Sequence, residues 1–420
     1  MLRKLAIAVV AAAAIGLPTA QRAAAADTIR LALIEPYSGP VAAIGRDFLQ
    51  GMQLIADEIN AAGGIAGKTL EIVPLDNAMK AEKTTEQVRK AIDDGIRFIT
   101  QGVGSNHALN IIEQLEKHNS RNPDKTVLYL NHSAVTTAFT NEKCSFWHFR
   151  FDAHLDNKAA ALLTAMGKDD EVKNVYMLNQ NYAFGQSFKS AVNNMFAERV
   201  PNAKLVGDDL MVPFGKVQDF TPYVAKIKAS NADTVLTSNW GPDIFRFIKA
   251  VVDAGLTPQF YTLYGGQAAT IAGYGKDAGL AVRLKQLTEA HEGIKMTADA
   301  QAFSDKFRKE TGKSWYADRT RWVLWLFKAA VEKAGSEDPA AVARALEGMT
   351  HPGAVGEVKV RTDDHQILMP LVLSEMTEDV TPENRFIYNG EDYGIGFKTI
   401  TVVPQDQVTL PTTCKMKRPS

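Results

Sequence analysis

Apolar and polar positions follow two periods along this chain. Residues 29–34 form a short apolar run ending at Glu35-Pro36, the pattern of a buried strand. Residues 37–45 then read as a loop carrying Gly39, Pro40 and Gly45. Phe48, Met52, Ile55 and Ile59 follow at i, i+4, i+7 and i+11, one face of a helix. That helix is expected to stop at Gly63-Gly64, and residues 70–75 begin a second strand. Strand-like runs recur at 97–101, 127–131, 175–179, 204–211, 234–239 and 259–263. Helical patterns separate them, over 80–93, 107–118, 157–166, 187–198, 221–229 and 243–254. Such alternation predicts an α/β fold with parallel sheets covered on both faces. A βαβ unit places its first loop at the carboxyl edge of the sheet, where such folds bind ligands. The pattern restarts near 149–154, and the units are too many for one compact sheet, so two lobes are expected. Long helices are predicted over 298–311 and 319–334, then strands and turns from 355 to 403.

The first residues differ. Arg3 and Lys4 precede an uncharged run over 5–17, and Ala24-Ala25-Ala26 offers a cleavage site before Asp27. This is a signal-peptide pattern over 1–26, with an apolar run too short to span a membrane comfortably. The mature chain is expected in the periplasm. Its loss of Arg3, Lys4 and Arg22 leaves it more acidic than the whole chain, whose net charge is −1. That argues against a nucleic-acid or anionic-membrane surface. The length of 420 residues suits two domains. Cys144 and Cys414 are the only cysteines, and an oxidising compartment favours one disulfide over two separate thiols.

Chemical signatures are lacking. There is no G-x-x-x-x-G-K-[ST] phosphate loop, no H-E-x-x-H or C-x-x-C, and no G-x-S-x-G elbow. His148, Asp152 and His154 read as surface or hydrogen-bonded side chains rather than metal ligands. No cofactor, metal or catalytic residue is assigned, and a binding protein is expected rather than an enzyme.

Ser38-Gly39-Pro40, Gly45, Gly51 and the run from Asp57 through Asn60, Gly63-Gly64 and Gly67 to Lys68 resemble the opening of periplasmic branched-chain amino acid binding proteins. These are solute receptors of ABC importers. The likeness continues through 70–76, 90–95, Tyr182-Ala183-Phe184-Gly185, Asp219-Phe220 and 252–256. It implies two Rossmann-like lobes joined by three crossovers, the type I periplasmic binding fold, closing on a ligand. The lobes would be discontinuous, 27–150 with 288–355 and 151–287 with 356–420. The implied partners are a small amino acid or organic acid and the membrane permease subunits, for a receptor acting as a monomer.

The resemblance also carries ligand contacts onto particular residues. Ile44 comes from the first loop, Ser105 and Asn106 follow the third strand, and Ser133, Ala134 and Thr136 follow the fourth. Tyr182, Phe184 and Trp240 come from the second lobe. Other roles stay open for several: a helix N-cap for Ser105 or Asn106, a polar turn over 133–136, core packing for Phe184. Tyr264 aligns where the family carries an acid that pairs with the ligand's ammonium. A closed cleft holding an unpaired ammonium costs on the order of several kcal/mol. Either Asp243 takes the role, or the ligand is an aromatic or aliphatic carboxylate without an ammonium. Arg319 and Arg321 are candidate counter-charges, with a solvated helix face as the alternative. The leading reading is an importer's solute receptor. Its rivals are a sensory receptor subunit of the same fold and a secreted α/β hydrolase, which needs a nucleophile and base that the sequence does not display.

Overall fold

The structure, a computed structural model, describes residues 28–211 and 214–419. The expected signal segment, 1–26, lies outside the described residues. Strands β1 (Thr28–Glu35), β2 (Thr69–Asp76), β3 (Phe98–Gln101), β4 (Leu128–Asn131) and β5 (His148–Arg150) make one sheet in the order β2-β1-β3-β4-β5. All its pairings are parallel. Helices α1 (Ala42–Ala61), α2 (Ala81–Asp93) and α3 (Ser105–Arg121) connect the strands. The apolar run of β1 is continuous because both faces are covered: Leu31 and Leu33 join one core cluster, Ala32 and Ile34 another.

The loop expected over 37–45 is shorter, because α1 already begins at Ala42. Gly45 is not a turn residue. A Cβ there would lie 2.2 Å from the Pro36 carbonyl oxygen, and one at Gly51 would lie 2.3 Å from the Trp315 ring. Both glycines let α1 approach its neighbours. The helix does end at Gly63 and Gly64, whose φ angles of 101° and 75° are left-handed.

A second sheet follows α4 (Leu155–Met166). Its strands and helices alternate as β6 (Asn174–Gln180), α5 (Ala183–Arg199), β7 (Lys204–Met211), α6 (Thr221–Ala229), β8 (Thr234–Thr237), α7 (Pro242–Asp253), β9 (Gln259–Thr262), α8 (Ala268–Tyr274), α9 (Lys276–Ala281) and β10 (Lys285–Thr288). The chain then returns to pack α10 (Ala298–Thr311) and α11 (Arg319–Ala334) on α1, with α12 (Pro339–Leu346) beside α11. Strands β11 (Thr350–Pro352), β12 (Glu357–Val360) and β13 (Ile367–Leu368) form a small antiparallel sheet. Strands β14 (Leu371–Thr377), β15 (Arg385–Tyr388) and β16 (Glu391–Val403) complete the eight-stranded sheet, order β15-β16-β14-β10-β9-β8-β6-β7.

The stretch grouped by resemblance with the second lobe from residue 356 divides here. Residues 357–368 pair in the small sheet, and the Arg150 amide donates to the His365 carbonyl at 3.0 Å, so they sit at the edge of the first lobe. The chain passes between the sheets after β5, after β10 and after β13. Helix α13 (Gln405–Val408) packs on α4, and the tail beyond it runs back over the first lobe. There Cys414 is disulfide-bonded to Cys144, as two cysteines in an oxidising compartment suggest. The Thr413 amide also donates to Asn141 at 2.8 Å.

Candidate functional site

The carboxyl ends of β3, β4, β6, β8 and β9 face one another across the gap between the lobes. A cavity of about 430 Å³, counting its opening to solvent, lies there. From the first lobe it is lined by Ile44 and Phe48 of α1, the loop 102–105, Ser133 and Ala134. The second lobe supplies Tyr182, Phe184, Trp240, Tyr264 and Gln267, and α11 supplies Arg319.

The first-lobe wall is braced from β1. The buried Glu35 carboxylate accepts the Gly102 amide at 2.6 Å and the Val103 amide at 3.3 Å, and lies 3.2 Å from His132 Nε2. One carboxylate therefore holds two lining loops. Burial pushes the His132 pKa down, and Glu35 only partly opposes it. The other ring nitrogen faces Thr100 Oγ1 at 3.1 Å. Gly102 is required by close approach, since a Cβ there would meet the His132 ring at 2.5 Å. Gly104, at φ 93°, is the N-cap of α3, without a side-chain cap. Ser105 and Asn106 are thus not caps. Ser105 is buried at the cavity wall.

The second-lobe wall is an aromatic stack. Trp240 Nε1 donates to the Tyr182 hydroxyl at 2.7 Å, and Trp240 stacks on Phe214 at 4.3 Å between centroids. Tyr182 stacks on Phe184 at 5.8 Å, and Phe184 reaches Tyr264 at 6.0 Å. Phe184 is both buried and lining, so its core and cavity roles coincide.

Arg319 is not a solvated helix residue. It is 3% exposed, its Nε donates to Ser133 Oγ at 2.7 Å, and Nη1 donates to Glu289 at 2.6 Å. Asp152 lies 3.6 Å away and pairs with the buried Lys158 at 2.7 Å. Burial opposes the Arg319 charge, but Glu289 and Asp152 outweigh it and hold the guanidinium above its ordinary range. Arg321 is also buried, paired with Asp318 at 2.9 Å, and is not part of the lining.

Of the expected contacts, Ile44, Ser105, Ser133, Ala134, Tyr182, Phe184, Trp240 and Tyr264 come together around the cavity. Asn106 and Thr136 do not. Asn106 is exposed, and Thr136 is buried behind the wall, its carbonyl accepting from Arg150 at 2.6 Å. Asp243 does not face the cavity either; it accepts from Gln180 at 2.7 Å and from the Gly215 amide at 2.9 Å. His148 and His154 are buried, with burial pushing both well below the usual imidazole range. Phe48 and Gln267 were missed. Phe48 was legible as the next turn of α1 after Ile44, whereas Gln267 carries no pattern.

Among the described residues no carboxylate lines the cavity. The amino ends of α3 and α5 begin at lining residues and contribute partial positive charge. The arrangement suits a carboxylate with an apolar or aromatic body.

Two α/β lobes and a cavity lined from both are the frame of a solute receptor, and the chain belongs to the periplasmic binding protein family. That family's profile, described as "Periplasmic binding protein", matches residues 28–381. The chain is 34% identical to "Leu/Ile/Val-binding protein homolog 4" of Brucella abortus (strain 2308), over 98% of this chain and 97% of that one. It is similar in structure to the leucine-, isoleucine-, valine-, threonine- and alanine-binding protein of Brucella ovis in its closed conformation. There the TM-score is 0.83 and the identity 31%, covering 94% of this chain and all (100%) of that one. An R. palustris solute-binding protein solved in complex with benzoate shares the fold at TM-score 0.75 and 19% identity, covering 92% and 99% of the two chains. The protein is thus a type I solute-binding protein of ABC transport, of the branched-chain amino acid binding family. The family implies an extracytoplasmic location. Among the described residues no helix is long and apolar enough to cross a membrane.

Proposed function

We propose that this protein captures a small carboxylate between its lobes, outside the cytoplasm, and delivers it to the permease of an ABC importer. It acts as a monomer exported by the signal at 1–26, without catalysis. The observation that carries the reading is the lining itself. Ser105, Ser133 and two helix amino ends offer hydrogen bonds and positive potential, aromatic rings offer an apolar wall, and among the described residues no acid lines this cavity. Tyr264 stands where an ammonium would need a counter-charge, and burial pushes its hydroxyl well above the ordinary range, so it stays neutral. An acid without a free ammonium fits best.

A second reading is a branched-chain amino acid, favoured by the names of the relatives at 34% and 31% identity. A thermal-shift and calorimetric screen of amino acids, aromatic acids and aliphatic acids separates the two. Carboxylates lacking an ammonium are expected to bind; hits confined to leucine-like amino acids would reverse the ligand assignment. Trp240→Ala combined with Ser105→Ala is expected to abolish binding in a folded protein, and unchanged affinity would show the wrong cleft was chosen. Turnover of a bound compound would overturn the receptor reading.

A further inference from the structure

Among the described residues Arg319 is the one cationic side chain that lines the interlobe cavity. Two of its three guanidinium nitrogens are engaged. Nε donates to Ser133 Oγ at 2.7 Å, and Nη1 donates to Glu289 at 2.6 Å. Nη2 has no acceptor among the described residues, yet it is not sealed in the interior. Its neighbour Ser133 is half-buried. The Ser133 oxygen accepts from Arg319, and its own hydroxyl hydrogen meets no acceptor among the described residues.

The direction of these free donors follows from the shape of a guanidinium. It is a rigid planar fork in which Nε–H and one N–H of Nη2 point the same way. Arg319 touches a second cavity as well, but Ser133 lines only the first. The bond from Nε to Ser133 therefore turns the adjoining Nη2 edge toward the first cavity. There a hydroxyl hydrogen and a guanidinium hydrogen lie side by side. The cation is also held before any ligand arrives. Glu289 directly follows β10 and Asp152, 3.6 Å from Nε, lies just beyond β5, so two of the chain crossings grip it. A preorganised donor loses little side-chain freedom on binding.

We propose that Arg319 Nη2 and Ser133 Oγ together hold one carboxylate of the ligand, and that Arg319 sets the preference for an anion over its neutral isostere. This rests on the reading that the cavity takes a carboxylate. Two oxygens of one carboxylate can accept from both donors, and such charge-assisted bonds are about twice as strong as neutral ones. A primary amide offers one acceptor and turns an NH2 toward the second donor.

The test is calorimetry on the purified mature protein with acids paired to their amides: benzoate with benzamide, hexanoate with hexanamide, and leucine with leucinamide. The wild type is expected to bind an acid at least tenfold tighter than its amide. Arg319→Met combined with Glu289→Met removes both buried charges, so neither is left uncompensated, and the ratio should fall toward one. Ser133→Ala should lower it about fivefold, and serves alone if the double variant does not fold. An unchanged ratio in the folded variants would overturn the anchor and leave the carboxylate reading standing. If leucine is the acid that binds and its ratio collapses, the anchor holds and the exclusion of an ammonium falls. Acids that bind no better than amides to the wild type, or not at all, would remove both.

Discussion

Trp240 and Tyr182 are joined by an indole-to-hydroxyl hydrogen bond of 2.7 Å, between residues that follow different strands of the second lobe. Neither side chain sets the cavity wall alone. The bond fixes the Trp240 ring where Phe214 also stacks on it, and the Tyr182 ring where Phe184 does. Tyr182→Phe keeps both rings but leaves the indole N–H unpaired. The expected cost is about 1 kcal/mol, read as a roughly fivefold loss of ligand affinity by calorimetry. Affinity equal to wild type would mean the wall does not depend on this bond.

The pair Arg319–Glu289 is buried on both sides, at 4% and 3% side-chain exposure. Removing one partner leaves a charge uncompensated, which typically costs about 3–5 kcal/mol. Asp152 remains 3.6 Å from Arg319, so Glu289→Gln is expected near the lower end. Urea denaturation measures it. A change below about 1 kcal/mol would show that Asp152 compensates fully.

Gly51 admits no side chain without movement, since its Cβ position lies 2.3 Å from Trp315. Gly51→Ala should lower stability by about 1–3 kcal/mol, as overpacking does. It should also weaken ligand binding, because Trp315 and Tyr316 precede the helix that carries Arg319. Gly63→Ala is the contrast. It meets no atom within 4 Å, and its cost comes from φ 101° alone. Equal losses in both variants by thermal melting would show that contact with Trp315 is not the constraint.

Stability should fall with acid. Burial lowers the pKa of His107 and of His291 from 6.5 to about 4, and holds His148 and His154 well below the ordinary imidazole value. The unfolded chain therefore binds protons that the folded chain refuses. The neutral-histidine contribution is complete above pH 6.5 and is lost as pH drops toward 4. Each such group adds a slope on the order of 1.4 kcal/mol per pH unit inside that window. Denaturation midpoints at pH 7.5, 6.0 and 5.0 test this; a flat profile would contradict the burial of these rings.

Much of the scaffold was legible because buried parallel strands and amphipathic helices write their periods into the chain. The βαβ opening, the stop at Gly63-Gly64 and the restart after Arg150 all follow from that. The lining residues at strand carboxyl ends were legible for the same reason, with the resemblance supplying which ones. Arg319 was not. Its helix pattern gives no sign that Glu289, 30 residues earlier, folds against it. Asn106 illustrates the opposite error. It neighbours the lining Ser105, but successive positions on a helix point about 100° apart, and it faces solvent. Gly45 and Gly51 looked like loop or motif residues, and only the packing shows them to be contact points.

The Cys144–Cys414 bond, 270 residues apart in sequence, turns most of the chain into a closed ring that contains all three crossings between the two large sheets. A protease that cuts any one exposed loop between these cysteines therefore leaves a single covalent molecule. A nicked receptor should migrate intact without reductant and fall into two fragments with it.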